Sequence, residues 1–409
     1  MRSCNQFNLG IYDEIIIEGG VESIRLSLIP ELAKLTHSII WMLPENKISY
    51  FKSQIDDSLP IKIISNTFPS SSFAAKISVL VFKLLKGHFK DYIESSYKNI
   101  YLKLVCKKYK ISSILTTCIY GQKFPSCSVP ISGIICDLNL DPYKKESMMK
   151  SIKNWIKNCN YIFSISKVTT KQILKEFKEI EHIANRVQTI PLSYSDQLNL
   201  NSRRRSKEDF ITFFYPASFN PNKGHLALLK VVINMLEEKN LADFQVILSG
   251  NGTEKIISDK TLDNTRLEET RRFGWKNRYK LKDKLIIKGF VNALQLSSLY
   301  SSSDYIVLPS LKEGFGLPLS EGLYYGLPII AFDLESYQEQ VNLYRADDRI
   351  TFVPLNSISD LQNEMRKAIR FPKEKESISQ IKKRTSNWTW SDVAGTYCDY
   401  ILRENGVKN

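Results

Sequence analysis

Two glutamates, Glu313 and Glu321, lie eight positions apart around a loop that contains Gly314 and Gly316. Carboxylates accept hydrogen bonds from hydroxyl groups, so this pair could bind the hydroxyls of a sugar or a ribose. The two glycines let backbone amides approach a ligand closely, because they lack a side chain. Alternatively, the glycines only turn the chain and Glu321 only stabilises the start of a helix.

The elements around this loop follow from the local pattern. The stretch DYIVLP, residues 304–309, is typical of a buried strand, and a helix is predicted to begin near Pro318. A helix start presents free N–H groups and the positive end of the helix dipole. The sequence therefore predicts a ligand site where this strand passes into this helix.

Short apolar runs alternate with helical patterns along nearly the whole chain, which indicates parallel α/β units. A chain of 409 residues is too long for one core, so we expect two domains. The polar stretch 196–209 is predicted to link them, while the charged segment 253–283 has no clear assignment. Strands are predicted near 7–11, 38–43, 61–65, 112–116, 130–136, 160–165, 187–190, 210–215, 244–249, 284–288, 304–309, 328–332 and 350–354. Helices are predicted most clearly at 20–36, 146–158, 167–178, 223–238, 292–302 and 358–370.

Ligands of open α/β sheets bind outside the carboxyl ends of the strands. Two such halves would form a cleft between the carboxyl ends of two sheets, with the functional residues on loops that follow strands. The string EGFGLPLSEGLYYGLPII, residues 313–330, lies on such a loop. It resembles the signature of the family 4 glycosyltransferases, which are retaining enzymes of the GT-B fold with two Rossmann-like doubly wound domains.

The resemblance implies a role for each residue of this loop. Glu313 would face the donor sugar and the charge that develops on it, and Glu321 would bind the ribose of the nucleotide. The amides between the two glutamates would approach the sugar hydroxyls. The donor-binding residues of this loop are then Glu313, Gly314, Phe315, Gly316, Leu317 and Glu321.

The segment FFYPASFNPNKGHLALL resembles the phosphate-binding strand, loop and helix of the same family. Lys223 matches the family lysine that contacts the donor pyrophosphate, where a fixed ammonium would stabilise the departing nucleoside diphosphate. Many members carry an arginine five residues earlier, where this chain has Ser218. Without the resemblance, Lys223 is an exposed lysine at a helix start, which the helix dipole disfavours.

Four further segments carry the resemblance. The pair Gly19 and Gly20 would open a helix near the donor phosphates and the acceptor, and the turn from Gly289 to Val291 would lie near the base. Ser166 follows a strand as the family serine does. The C-terminal stretch would form a last helix that returns to the first domain. The resulting domains are 1–195, the linker 196–209, 210–388, and the returning helix 389–409.

A departure from the family lies at Cys136 and Asp137, where members often have His-Asp and the histidine approaches the donor sugar or the acceptor. A cysteine in a strand more often fills the core than catalyses a reaction. Asp137 either orients an acceptor hydroxyl or caps a loop. Together with Glu313 and Lys223, it completes our set of catalytic candidates.

No metal or other cofactor is expected besides the donor substrate. The four histidines are scattered and no Asp-x-Asp pair follows a strand, whereas hard divalent cations need clustered oxygens. Lys223 and helix dipoles would neutralise the pyrophosphate instead. The seven cysteines include no CxxC motif, so reduced thiols in the cytoplasm are a better interpretation than disulfides or zinc.

The net charge of +14 is concentrated in the first half: residues 1–195 carry 26 Lys+Arg and 16 Asp+Glu, and the remainder 31 and 27. Stretches 73–110 and 144–178 each hold nine lysines and two acidic residues. In 76–90 the lysines interleave with apolar residues, which is typical of a helix on an anionic membrane surface. The alternative is a solvated helix face. No zinc-finger, RNP-like or arginine-rich pattern indicates nucleic-acid binding.

No window is apolar enough for a membrane span and no signal peptide is visible. We therefore expect a cytoplasmic enzyme, peripheral on the inner face of the membrane. The expected reaction transfers a hexose-type sugar from a nucleotide sugar to a hydroxyl of a sugar or lipid-linked glycan acceptor. Retention, and a place in O-antigen or capsule synthesis, are what the resemblance implies. The alternatives are a non-catalytic membrane-associated homologue, or another GT-B enzyme such as a nucleotide-sugar epimerase.

Overall fold

In the computed structural model the chain folds into two compact units. The first unit comprises Met1–Leu192 and Trp390–Asn409, and the second comprises Ser193–Thr389. Each unit is built on its own parallel sheet with helices, so the predicted α/β class with two doubly wound domains is confirmed. The predicted linker 196–209 lies outside the described residues. The structure describes residues 4–17, 19–68, 87–138, 145–194, 210–238, 241–258 and 267–405.

The first unit has a seven-stranded sheet in the order β3-β2-β1-β4-β5-β6-β7, with every described pair parallel. Its strands are apolar on both faces, as expected for a sheet covered by helices on both sides. Leu9, Ile114 and Ile134, for example, are fully buried. The strands are β1 Cys4–Tyr12, β2 Thr36–Leu43, β3 Ile61–Ser65, β4 Ile111–Thr116, β5 Ile131–Ile135, β6 Ile162–Ser164 and β7 Val187–Thr189.

The C-terminal helix belongs to the first unit, where it packs against the first helix of the chain. The ring of Tyr397 on this helix meets Phe163 of β6 edge to face, with centroids 4.7 Å apart. The helices of this unit are α1 Gly20–Leu35, α2 Ile48–Lys52, α3 Gly87–Lys108, α4 Lys145–Asn158, α5 Lys167–Glu176, α6 Ile183–Arg186 and, at the C-terminus, α15 Trp390–Glu404.

The second unit has a six-stranded parallel sheet in the order β10-β9-β8-β11-β12-β13. Because β8 pairs with β11, with Tyr305 opposite Phe213, the loops after these two central strands start side by side. The strands are β8 Ile211–Pro216, β9 Phe244–Ser249, β10 Leu285–Ile287, β11 Tyr305–Leu308, β12 Ile329–Phe332 and β13 Ile350–Val353. The helices are α7 His225–Leu236, α8 Glu268–Lys276, α9 Arg278–Leu281, α10 Ala293–Ser302, α11 Leu317–Tyr324, α12 Glu335–Tyr344, α13 Ile358–Arg370 and α14 Ile378–Thr385.

Two regions that the sequence singled out are described only in part. Of the basic stretch 76–90, residues 76–86 lie outside the described residues and 87–90 begin α3. The unassigned segment 253–283 contains a 3₁₀ turn, Thr253–Ile256, and helices α8 and α9 around residues 259–266, which are not described. Within the described parts of the chain, no helix combines the length and apolar character that crossing a bilayer requires.

Candidate functional site

The loops that follow β8 and β11 meet at a glycine. Gly224 has φ 62°, and a Cβ atom added to it would lie 1.9 Å from the carbonyl oxygen of Pro309. A hydrogen bond of 2.7 Å from the N–H of Leu311 to the carbonyl of Asn222 joins the same two loops. The absence of a side chain at Gly224 therefore permits the contact that brings the two loops together.

Replacing Gly224 with alanine should separate these loops and destabilise the second unit. The new Cβ would have to displace backbone at a positive φ, so we expect Gly224→Ala to cost at least about 2 kcal/mol in free energy of unfolding. Gly289→Ala is the matched control, because its φ is 64° but the nearest atom to its added Cβ is a side-chain oxygen 3.4 Å away. Urea unfolding of both variants measures the difference, and equal losses would refute the close-approach explanation.

Lys223 and Glu313 form an ion pair across the two loops. The Lys223 Nζ atom lies 2.6 Å from Glu313 Oε1, and the two side chains are 22% and 10% exposed. Lys223 ends the 3₁₀ turn Pro221–Lys223. Asn220 caps the start of this turn, because its side chain accepts a hydrogen bond from the N–H of Asn222. Two mostly buried charges require a partner, and here each provides it for the other. The sequence predicted both residues as site residues but not their contact.

Three hydroxyl groups surround this ion pair. The Tyr215 hydroxyl donates to the carbonyl of Lys223 at 2.5 Å and lies 3.0 Å from Ser310 Oγ. The Tyr337 hydroxyl interacts with both Ser310 and Glu313. Burial, and then the charge of Glu313, raise the pKa of both phenols well above the ordinary value. Both phenols therefore stay protonated at neutral pH: Tyr215 donates to the carbonyl of Lys223, and Tyr337 is the donor beside the Glu313 carboxylate.

His225 follows Lys223 and Gly224 and opens α7, but it contributes no charge to the site. Its ring is buried between those of Tyr215 and Phe219. Burial lowers its pKa to about 4, so the imidazole is neutral at pH 7. The positive charge at this helix start therefore comes from Lys223.

Glu321 lies one turn inside α11 and is also buried, with 7% of its surface exposed. The Tyr300 hydroxyl donates to Glu321 Oε2 at 2.5 Å, and the Tyr300 ring stacks on Tyr325. Burial raises the pKa of Glu321, while the hydrogen bond from Tyr300 opposes that rise. Among the described residues, the second carboxylate oxygen, Oε1, has no hydrogen-bond partner. It is thus the oxygen available to a ligand.

The glycine-rich loop can offer a ligand its backbone. Phe315 is only 3% exposed, so its ring belongs to the core. Gly316 has φ 91°, and a Cβ added there would come within 2.4 Å of the Tyr337 ring. Gln340 of α12 donates to the carbonyls of Phe315 and Gly316 at 2.5 and 3.2 Å. Neither Gln340 nor these contacts were anticipated from the sequence.

Of the other donor-binding candidates of the second unit, one shares the loop of Lys223 and the other follows the edge strand β10. Ser218 is exposed after β8, and Val291 is half-buried after β10. In the described part of this unit, neither residue forms a hydrogen bond with Lys223, Glu313 or Glu321. The structure thus brings together Lys223 and Glu313, and it leaves Ser218 and Val291 as separate candidates.

Two candidates, Gly20 and Asp137, belong to the first unit. Gly20 is exposed and begins α1 after β1, and Gly19 before it has φ 85°. Asp137 follows β5, and its N–H donates to the Tyr120 hydroxyl at 2.8 Å. Cys136 is buried with its thiol against that of Cys118, as expected for a core residue.

Ser166, which the resemblance also singled out, caps a helix. It precedes α5, and its side chain accepts a hydrogen bond from the N–H of Thr169. A side-chain oxygen at this position satisfies an N–H group that has no partner within the helix. This contact explains a serine after the strand without any ligand.

A buried ion pair in the first unit escaped the sequence analysis. Asp13 and Arg25 are both fully buried, with Arg25 Nε 3.3 Å from Asp13 Oδ2. The Trp41 indole and the Thr117 hydroxyl donate to the same carboxylate at 3.1 and 2.6 Å. Arg25 also donates to the carbonyl of Ile17 at 3.0 Å, which joins α1 to the segment after β1. The position of Asp13 directly after β1 is the sequence feature that could have indicated this ion pair.

No group of three or more histidine, cysteine, aspartate or glutamate side chains that could hold a metal ion occurs within the described ranges. The six cysteines whose state the structure describes are free thiols. The described loops after β8 and β11 and the start of α11 carry the ion pair of Lys223 and Glu313, nearby hydroxyl groups, and Glu321. Such a set can bind a ligand that carries both anionic and hydroxyl groups.

Comparison with known proteins supports the interpretation of these loops as a binding site for such a ligand. Residues 196–385 match the family model described as glycosyl transferases group 1, which confirms the glycosyltransferase resemblance for that part of the chain. The chain is 28% identical over 174 residues to the GtfA subunit of the UDP-N-acetylglucosamine–peptide N-acetylglucosaminyltransferase of Streptococcus pneumoniae. That alignment covers 42% of this chain, which spans only 30% of the length of this curated relative.

Solved structures resemble the chain over nearly its whole length. A glycosyltransferase from Rickettsia africae superposes with a TM-score of 0.64 at 16% identity, covering 99% of this chain and all of the other. The lipopolysaccharide outer core galactosyltransferase WaaB superposes with a TM-score of 0.54 at 12% identity, covering 97% and 99%. At such identities the likeness shows the fold alone, and the predicted GT-B fold is confirmed.

Proposed function

We propose that this protein is a retaining glycosyltransferase that moves a hexose-type sugar from a nucleoside diphosphate donor to an acceptor hydroxyl. The observation that carries this proposal is the ion pair between Lys223 and Glu313, 2.6 Å apart where two loops meet at the centre of the second sheet. It sets a cation for the diphosphate beside a carboxylate for the sugar. The group 1 match over residues 196–385 supports glycosyl transfer as the class of reaction.

In this reaction the bond between the anomeric carbon and the donor phosphate oxygen breaks, and the nucleoside diphosphate leaves with the electron pair. The acceptor oxygen forms the new bond to the anomeric carbon and gives its proton to the departing diphosphate, so that atoms and charge balance. The Lys223 ammonium would stabilise the negative charge that accumulates on the diphosphate. The Glu313 carboxylate would accept hydrogen bonds from sugar hydroxyls and stabilise positive charge developing at the anomeric carbon. Asp137 remains a candidate for orienting the acceptor hydroxyl.

We assign the ribose of the donor to Glu321, whose Oε1 atom is available while Tyr300 holds Oε2. Tyr300→Phe keeps the stacked ring and removes this hydrogen bond. We expect the affinity for the nucleoside diphosphate to fall about 5- to 10-fold, or about 1–1.4 kcal/mol. This is less than the roughly 1.5–3 kcal/mol of a hydrogen bond to a charged group, because the Tyr300 hydroxyl only positions the carboxylate. Titration calorimetry measures the change. Tyr305→Phe, which removes a hydroxyl bonded to the N–H of Lys373, is the control and should bind as the wild type does. Equal affinity in wild type and both variants would contradict the assignment of the ribose to Glu321.

The chemistry that we propose needs no metal ion, because Lys223 and backbone dipoles face the diphosphate. Activity should therefore survive millimolar EDTA without loss. The measurement is nucleoside diphosphate release before and after chelation, followed by added magnesium or manganese. Loss with EDTA and recovery with either ion would overturn this part of the proposal.

We further propose that the acceptor is a sugar or a lipid-linked glycan of a surface polysaccharide, reached at the inner face of the membrane. The lipopolysaccharide outer core galactosyltransferase WaaB has the same fold, and the first 195 residues carry the larger excess of lysine and arginine. A lysine near an anionic surface contributes about 1 kcal/mol, and salt screens this attraction. Sedimentation with anionic vesicles at low and high salt tests this membrane binding. Failure to bind at low salt would mean that the lysines only form a solvated helix face.

The test of the reaction itself is release of a nucleoside diphosphate from a panel of nucleotide sugars. We would begin with UDP-N-acetylglucosamine and UDP-galactose, in keeping with the names of the relatives, and then GDP-mannose. Membrane lipid extracts supply acceptors. Release that depends on both donor and extract would support transfer. Binding of the donor without any release would instead favour the non-catalytic alternative.

A further inference from the structure

Gln340 of α12 is fully buried, and its side-chain amide nitrogen donates to two carbonyl groups of the glycine-rich loop. Its Nε2 atom lies 2.5 Å from the carbonyl oxygen of Phe315 and 3.2 Å from that of Gly316. The Gly316 carbonyl also accepts the N–H of Leu319 at 3.0 Å. One side chain thus fixes the direction of two successive carbonyl groups.

The direction of a carbonyl determines the direction of the next amide. In a planar trans peptide the C=O of one residue points opposite to the N–H of the following residue. With the carbonyls of Phe315 and Gly316 turned toward Gln340, the N–H groups of Gly316 and Leu317 point away from α12. Leu317 is the first residue of α11, so its N–H has no acceptor within that helix.

The presence of a glutamine at position 340 indicates that its hydrogen-bond donation to the loop carbonyls is important. In the described part of the chain, the Oε1 atom of Gln340 is buried without a hydrogen-bond partner, and an unpaired buried oxygen is unfavourable. A methionine would fill a similar volume without this penalty. Tyr337, one turn earlier on the same helix, packs on Gly316 and interacts with Glu313. One helix therefore contacts both the loop backbone and the carboxylate.

We propose that Gln340 is a positioning residue, which turns the amides of Gly316 and Leu317 toward the sugar of the donor. This inference rests on the proposed function and adds a residue to the same site. Gln340 would touch no substrate atom. It would act by holding two amides where they can donate to hydroxyls of the transferred sugar, so its contribution should appear only with ligands that carry this sugar in addition to the nucleoside diphosphate.

The test compares ligands with and without the sugar. Gln340→Met removes both donors and keeps the volume, and Gln338→Met is the matched control on the same helix, where the glutamine amide only donates to Asp333 at 2.9 Å. Calorimetry with UDP against UDP-N-acetylglucosamine, and GDP against GDP-mannose, gives the ratio of dissociation constants in each pair. Thermal unfolding of each variant verifies that it is folded.

We expect Gln340→Met to bind the nucleoside diphosphate within threefold of wild type, and to lose about 10-fold or more of the affinity and turnover that depend on the sugar. Gln338→Met should match wild type in both. A parallel loss for diphosphate and nucleotide sugar would mean a general structural role, and no loss for either would mean no role. If wild type and control also fail to bind every ligand, the proposed function itself is wrong.

Discussion

Glu313→Gln is expected to lower the turnover of the nucleotide sugar at least about 100-fold and to change the affinity for the nucleoside diphosphate by less than about threefold. The substitution preserves the shape of the side chain and its ability to accept a hydrogen bond from Lys223, 2.6 Å away. It removes only the negative charge. That charge matters most when positive charge develops on the sugar, so the loss should appear in kcat rather than in ground-state binding.

Steady-state release of nucleoside diphosphate, combined with calorimetry, separates these two quantities. Glu269→Gln is the control, because this substitution makes the same chemical change away from the loops. The Glu269 side chain lies on α8 and is 73% exposed. A Glu313→Gln protein that turns over as fast as this control would contradict the assignment of Glu313. A large loss of diphosphate affinity with unchanged kcat would exchange the roles of Glu313 and Glu321.

Lys223→Met should lower kcat/KM about 100- to 1,000-fold, because the leaving diphosphate loses its cation. The variant should also be less stable by roughly 2–3 kcal/mol, since Glu313 remains 10% exposed without its ion-pair partner. Lys223→Arg keeps the charge and should retain most of the stability. Urea unfolding and initial rates measure the two effects independently.

The double variant Lys223→Met with Glu313→Gln distinguishes stability from catalysis. Removing the second charge eliminates the unpaired carboxylate, so the free energy of unfolding should recover relative to Lys223→Met alone. Turnover should not recover, because both catalytic groups are then absent. Recovery of turnover in the double variant would mean that the unpaired charge, and not the missing cation, impaired the enzyme.

Much of the fold could be predicted from the sequence. The predicted strand at 304–309 occurs at Tyr305–Leu308, and the helix predicted at 358–370 occurs over those residues. Buried parallel strands are continuous apolar runs, so they stand out from their surroundings. Helix α12, with the sequence ESYQEQVNLY, was missed because most of its residues are polar and it spans only three turns. The two helices in segment 253–283 are shorter still.

The site could be predicted residue by residue, but its contacts could not. Lys223 and Glu313 are 90 positions apart, and their pairing depends on β8 lying beside β11, a strand order that no local pattern encodes. Gln340 and Tyr300 were overlooked for the same reason. A buried glutamine or tyrosine resembles an ordinary helix residue until the atoms that it contacts are known.

The most direct measurement is a crystal structure of the protein with the nucleoside diphosphate that it binds most tightly. We predict that the diphosphate lies at the loops after β8 and β11, with Lys223 Nζ moved from Glu313 Oε1 to a phosphate oxygen. A ribose hydroxyl should lie within hydrogen-bond distance of Glu321. A diphosphate bound elsewhere, with the 2.6 Å ion pair between Lys223 and Glu313 intact, would contradict the central claim that these residues form the donor site.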